Sequence, residues 1–105
     1  MEEVHPKELK EFLLSKKLIV IDVRKEKDFK KGSLKGAISM PFDTFDVEKL
    51  KDLQEKNRDT PIYLLCYKGI CSLDLAKDLE DKGFSNLASV KGGMGGCIEE
   101  GMEMH

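Results

Sequence analysis

The stretch Pro61-Ile62-Tyr63-Leu64-Leu65-Cys66-Tyr67-Lys68-Gly69-Ile70-Cys71-Ser72 decides how the chain folds. Four bulky apolar residues in a row, introduced by a proline, have the pattern of a short strand buried on both faces. The run stops at Cys66, and a short loop containing Gly69 follows. Leu73, Ala76 and Leu79 then recur at helical spacing, with Leu75 beside them. Ser72 is expected to be the N-cap of that helix, its hydroxyl accepting a hydrogen bond from a free amide of the first turn. Gly83 is expected to end it as a C-cap. The unit is strand, tight loop and helix, with a cysteine at the join.

Working outward, the same alternation continues. Downstream, Leu87 to Val90 reads as a final strand, and Gly92-Gly93 lead into a short, glycine-broken terminal segment. Upstream, Val47, Leu50 and Leu53 mark a helix, and Ala37 to Met40 before Pro41 marks a short strand. A charged stretch leads to Gly32 and Gly36. Before it lies the β-branched run Leu18-Ile19-Val20-Ile21, closed by Asp22-Val23-Arg24. A first strand ends at Val4, and His5-Pro6 opens a helix whose buried face is Leu9, Phe12 and Leu13. Such an order predicts an α/β three-layer sandwich, a parallel sheet of about five strands flanked by helices. Functional crevices in these sheets lie outside the carboxyl ends of the strands. Asp22 to Arg24 and the loop from Cys66 both fall at such ends.

A chain of 105 residues with 40% apolar content fits one domain over residues 1–105. At this size folding removes ~60–70% of the unfolded chain's surface from water. There is no repeat and no low-complexity tract. The net charge of −2, from 18 basic and 20 acidic residues, gives no electrostatic reason to expect nucleic acid or an anionic membrane as partner. No apolar run reaches transmembrane length, and the first residues lack a basic-then-apolar leader pattern, so a cytoplasmic location is expected. Three cysteines, Cys66, Cys71 and Cys97, form no disulfide framework and point to free thiols in a reducing compartment. Their spacing matches no zinc knuckle, and no metal is expected.

The loop gives Cys66 its chemistry. Successive backbone amides in a tight loop converge on an anion, and the helix that follows adds the positive end of its dipole. Gly69 permits the positive φ that a curled loop needs. Lys68 adds a full positive charge. All three favour thiolate over thiol, and a thiolate is a nucleophile. The remaining candidates read as structural. His5 is a helix-entry residue, Cys97 a small core residue, and Met94, Met102 and Met104 are terminal packing; Tyr67 either shapes the pocket mouth or is an exposed turn residue.

These segments together resemble the rhodanese family over nearly the whole chain. Asp22-Val23-Arg24, Asp28-Phe29, Gly32 and Gly36-Ala37 are similar to its first signature. Cys66 to Ser72 is similar to its active-site loop, and Val90 with Gly92-Gly93-Met94 to its C-terminal signature. The resemblance implies a Cys66 thiolate that takes sulfane sulfur from a donor such as thiosulfate. The loop amides of Tyr67, Lys68, Gly69, Ile70 and Cys71, with Ser72, would cradle the persulfide, and a thiol, cyanide or protein acceptor would receive the sulfur. No metal or organic cofactor is implied. Asp22 and Arg24 would brace the loop, as an ion pair at a strand end or by touching substrate.

Several positions depart from the family pattern. Ser33 stands where histidine is common, Leu34 where a β-branched residue is usual, and Cys97 where an aromatic usually packs. Cys71 replaces the Arg, Thr or other non-thiol residue that often ends the loop, which weakens the case for a dianionic donor. It also admits a rival reading, in which Cys66 and Cys71 form a reversible dithiol switch or the domain passes sulfur to a partner with little thiosulfate turnover. The other reading of Cys71 places it in the core at the start of the helix. Phosphatases and arsenate reductases of similar fold carry a loop one residue longer with an Arg; this loop has neither feature.

Overall fold

Apolar runs become strands, and the amphipathic stretches between them become helices. The order is β1 (Glu2–Val4), α1 (Pro6–Ser15), β2 (Ile19–Asp22), α2 (Glu26–Lys31), β3 (Ile38–Ser39), α3 (Val47–Lys56), β4 (Ile62–Leu65), α4 (Ile70–Asp81), β5 (Leu87–Val90) and α5 (Gly93–Glu99), with a 3-10 turn at Phe42–Thr44. The computed structural model describes residues 2–15 and 18–102; Met104 lies outside them. The strands form one parallel sheet in the order β1-β5-β4-β2-β3.

Because β4 is central it is buried on both faces, and alternate residues feed two cores. Tyr63 and Leu65 join Leu9, Val20, Val90, Met94, Cys97 and Met102 beneath α1 and α5. Ile62, Leu64 and Cys66 join Ile21, Leu50, Ala76 and Leu79 beneath α3 and α4. The expected sheet with helices on both faces is therefore observed. The backbone runs from β2 outward to β3, then back across β2 to β4. That reversal opens a crevice between the carboxyl ends of β2 and β4, where Asp22 and Cys66 lie.

The helix ends follow local chemistry. Asp46 caps α3, its side chain accepting from the Lys49 amide at 3.1 Å. Gly83 closes α4 at φ +99°: its amide donates to Glu80 and that of Phe84 to Leu79, a Schellman pair.

Three local expectations change. Leu13 is 39% exposed instead of buried, because α1 turns only Leu9 and Phe12 toward the sheet while Leu13 lines a surface cleft with Lys35 and Met102. The charged stretch after Arg24 contains the short helix α2, which buries no residue. Its Glu26 and Asp28 in the first turn and Lys30 and Lys31 in the last complement the helix dipole, so it carries no apolar period to read. Finally, α4 begins two residues before Ser72, with Gly69 at its N-cap.

Candidate active site

That last shift defines the site. Gly69 is left-handed at φ +88°, which turns the chain sharply from Cys66 into α4. The turn aims two backbone amides at Cys66 Sγ: Gly69 N–H donates at 3.0 Å and Ser72 N–H at 3.4 Å. The cysteine sulfur thus does what a capping side chain would do at a helix N-terminus. Ser72 is consequently the third residue of the helix, not its cap. Its hydroxyl lies 3.2 Å from Cys66 Sγ and 2.7 Å from the Ser89 hydroxyl. Ser72 and Ser89 are both fully buried. With sulfur as thiolate, Ser72 O–H donates to it and Ser89 O–H donates to Ser72, a short hydroxyl chain beneath an anion.

The loop is held from below by the glycine pair. Gly93, at φ +57°, lies so close to the loop that a Cβ there would collide with the carbonyl of Cys66 and come within 2.6 Å of that of Tyr67. The Met94 amide donates to Cys66 O at 2.8 Å and the Gly95 amide to Tyr67 O at 3.4 Å. A Cβ on Gly69 would likewise sit 2.9 Å from the Gly92 nitrogen. Two glycine segments far apart in sequence are therefore one packed backbone unit.

Cys66 is 5% exposed and forms the floor of two adjoining clefts. The larger, about 500 Å³, is walled by Val23, Arg24, Lys25, Lys27, Phe42, Tyr67 and Cys71, among others. The smaller, about 290 Å³, is lined by Cys66, Tyr67, Lys68, Ile70 and Cys71. Tyr67 and Ile70 are exposed at 65% and 64%, so both stand at the mouth. Cys71 is exposed and does not enter the core. Cys97, by contrast, is fully buried, and burial pushes its thiol up from 9.0 to about 11. It stays protonated at neutral pH and packs as a small core residue.

Asp22 is fully buried, and its charge is met on every side. Arg24 donates from Nε at 3.0 Å, from Nη2 at 2.8 Å and from its backbone amide at 3.0 Å. Ser33 Oγ donates at 2.6 Å. The same guanidinium donates to Gly32 O at 2.6 Å. Arg24 is thus committed to protein acceptors while its edge forms part of the cleft wall, and Ser33 has a definite partner. Asp22 itself lines neither cleft.

Sequence reading overlooked Ser89, and with it Lys25, Lys27 and Phe42 in the cleft wall. The available signal for Ser89 was that it is the one polar residue in the strand Leu87–Val90. Among the described residues no cluster of His, Cys, Asp and Glu could hold a metal ion. Nor is any helix there long and apolar enough to cross a membrane.

The chain is similar to several known proteins. Thiosulfate sulfurtransferase GlpE of Glaesserella parasuis serovar 5 is 28% identical over 96 residues, covering 91% of this chain and 85% of that protein. The adenylyltransferase and sulfurtransferase UBA4 of Meyerozyma guilliermondii is 33% identical over 81 residues; these are 72% of this chain, which spans only 19% of that protein's length. A rhodanese-like domain protein from Staphylococcus aureus superposes with a TM-score of 0.77 at 30% identity, over 98% of this chain and 97% of that one. The rhodanese-like domain profile itself matches residues 5–100, which takes in all three signature segments around the Cys66 thiol, and the chain belongs to the rhodanese-like domain family.

Proposed function

We propose that this protein is a sulfurtransferase that carries sulfane sulfur as a persulfide on Cys66. The observation that carries the reading is the Cys66 sulfur itself, on a cleft floor with the Gly69 and Ser72 amides and the Ser72 hydroxyl directed at it. An anion held there is stabilised without reorganisation. The Cys66 thiolate attacks the outer sulfur of a donor such as thiosulfate. A bond forms between Sγ and that sulfur, the donor's S–S bond breaks, and its electron pair leaves with sulfite. The persulfide's terminal sulfur then projects into the cleft, away from the Gly69 and Ser72 amides that hold Sγ. Cyanide or a thiol attacks the terminal sulfur, and the pair of the breaking bond returns to Cys66 Sγ. One difficult transfer becomes two easier ones. Free thiols in this arrangement suit a reducing cytoplasm.

The test is intact-protein mass spectrometry of the reduced protein after incubation with thiosulfate and then cyanide. Gain of the mass of one sulfur atom, reversed by cyanide, is the expected result. No gain, or loss of the mass of two hydrogens as Cys66 and Cys71 join, overturns it in favour of the dithiol reading.

The buried hydroxyl chain has its own expected effect. Hydrogen bonds to charged groups contribute ~1.5–3 kcal/mol, so Ser72→Ala should slow alkylation of Cys66 by iodoacetamide at neutral pH about tenfold or more. Ser89→Ala acts one bond further away and should slow it less, roughly two- to fivefold. Equal rates in the wild type and both variants would remove the hydroxyls from the account of Cys66 reactivity.

A further inference from the structure

We propose that Cys71 is a second sulfur carrier, which takes the terminal sulfur from the Cys66 persulfide and presents it at the surface. The inference rests on the persulfide reading above and extends it to a residue outside that cycle. Two thiols share the wall of one cleft but differ in access: Cys66 is 5% exposed on the floor, whereas Cys71 is exposed in the first turn of α4. Small acceptors such as cyanide reach the floor. A bulky acceptor meets Tyr67 and Ile70 at the mouth first.

Stereochemistry separates this step from disulfide formation. Attack on a sulfur of an S–S bond proceeds in line with the bond being broken. To displace sulfide and join Cys66, the Cys71 thiolate would have to approach Sγ from the side opposite the terminal sulfur. That side is the protein interior, filled by the Gly69 and Ser72 amides and the Ser72–Ser89 hydroxyls. Attack on the terminal sulfur comes from the open cleft, which Cys71 lines. The Cys71 thiol gives its proton to the persulfide's terminal sulfur, and the resulting thiolate attacks that sulfur. A bond forms from Cys71 Sγ to it, the bond to Cys66 Sγ breaks, and the pair returns to Cys66 as thiolate. Nothing is oxidised or reduced overall, and no co-reactant is consumed.

Lys68 makes the step measurable, because trypsin cleaves after it and leaves Cys66 and Cys71 on separate peptides. The wild type, Cys71→Ser and Cys66→Ser would be treated with thiosulfate, blocked with iodoacetamide, digested and analysed by mass spectrometry. In parallel, loaded protein would be offered cyanide or a bulky thiol fixed by a short linker to an agarose bead, whose matrix keeps it from reaching the cleft floor. The expected result is extra sulfur on both peptides in the wild type and on the Cys66 peptide alone in Cys71→Ser. The ratio of transfer to the bulky thiol over transfer to cyanide should fall about tenfold or more in Cys71→Ser. Sulfur confined to Cys66 in the wild type, with that ratio unchanged in Cys71→Ser, overturns the relay and leaves the persulfide mechanism standing. Sulfide release with a Cys66–Cys71 disulfide also overturns it. Wild type that takes up no sulfur, or Cys66→Ser that loads as well as wild type, overturns the persulfide reading beneath it.

Discussion

Replacing Cys66 with serine is expected to lower sulfur transfer from thiosulfate to cyanide by about a thousandfold or more while leaving the fold intact. Serine keeps the small volume and the acceptor that the Gly69 and Ser72 amides require, so the N-terminus of α4 stays capped. A hydroxyl at this site has no means of becoming the alkoxide needed to attack sulfur, since its neighbours donate to it and none of them is a base. Initial rates together with thermal unfolding check this: the rate should collapse while Tm moves by only a few degrees. Transfer within about tenfold of wild type would mean that the exposed Cys71 is the primary nucleophile.

The second large effect concerns Gly93, which carries no chemistry. Gly93→Ala brings a Cβ into the carbonyls of Cys66 and Tyr67, and both obstacles are backbone that no rotamer change can move. The left-handed φ adds ~1–2 kcal/mol for a residue with a side chain, and overpacking adds a further ~1–3. A loss of about 3 kcal/mol, or ~15 °C in Tm, is expected for a domain of this size. Moving the Cys66 carbonyl also shifts the sulfur relative to its amide donors. Alkylation of Cys66 should therefore slow even at temperatures where the variant remains folded. Gly36→Ala is the control: its φ is +83°, but a Cβ there meets nothing within 4 Å. It should lose only the ~1–2 kcal/mol of backbone strain and leave Cys66 reactivity unchanged. If the two variants lose equal stability and neither alters alkylation, the packing of the glycine pair against the loop does not position Cys66.

Much of the architecture is legible along the chain because its signals are local. A strand buried on both faces is mostly apolar, so Ile62 to Leu65 and Leu87 to Val90, which holds a single polar residue, Ser89, match their strands residue for residue. Amphipathic spacing marks α3 and the body of α4, where Leu75, Ala76 and Leu79 are buried while Leu73 stays half-buried, and Gly83 ends α4 because the left-handed turn there favours glycine. Where local patterning is silent, the reading failed. The short helix α2 buries nothing and so has no apolar period. Leu13 has the spacing of a core residue but lies on a stretch of α1 that the sheet does not cover.

By itself the sequence determined the alternation of strand and helix, the parallel sheet, and the placing of a cysteine where a central strand meets a glycine-turned helix. These follow from periodicity and from the conformational preferences of Gly and Pro, which act over a few residues. Only the tertiary structure decided what surrounds that sulfur. Ser72 left its expected capping role because α4 begins two residues earlier, at Ile70, so that its own amide meets Cys66 Sγ and its hydroxyl links Cys66 with Ser89 on the neighbouring strand. Gly93 meets the Cys66 carbonyl, and Ser33 meets Asp22, across chain separations that no local pattern records. The exposure of Cys71 beside the buried Cys66 belongs to the same class. Such contacts are set by strand order and register in the sheet, so they exist only once the whole chain has packed.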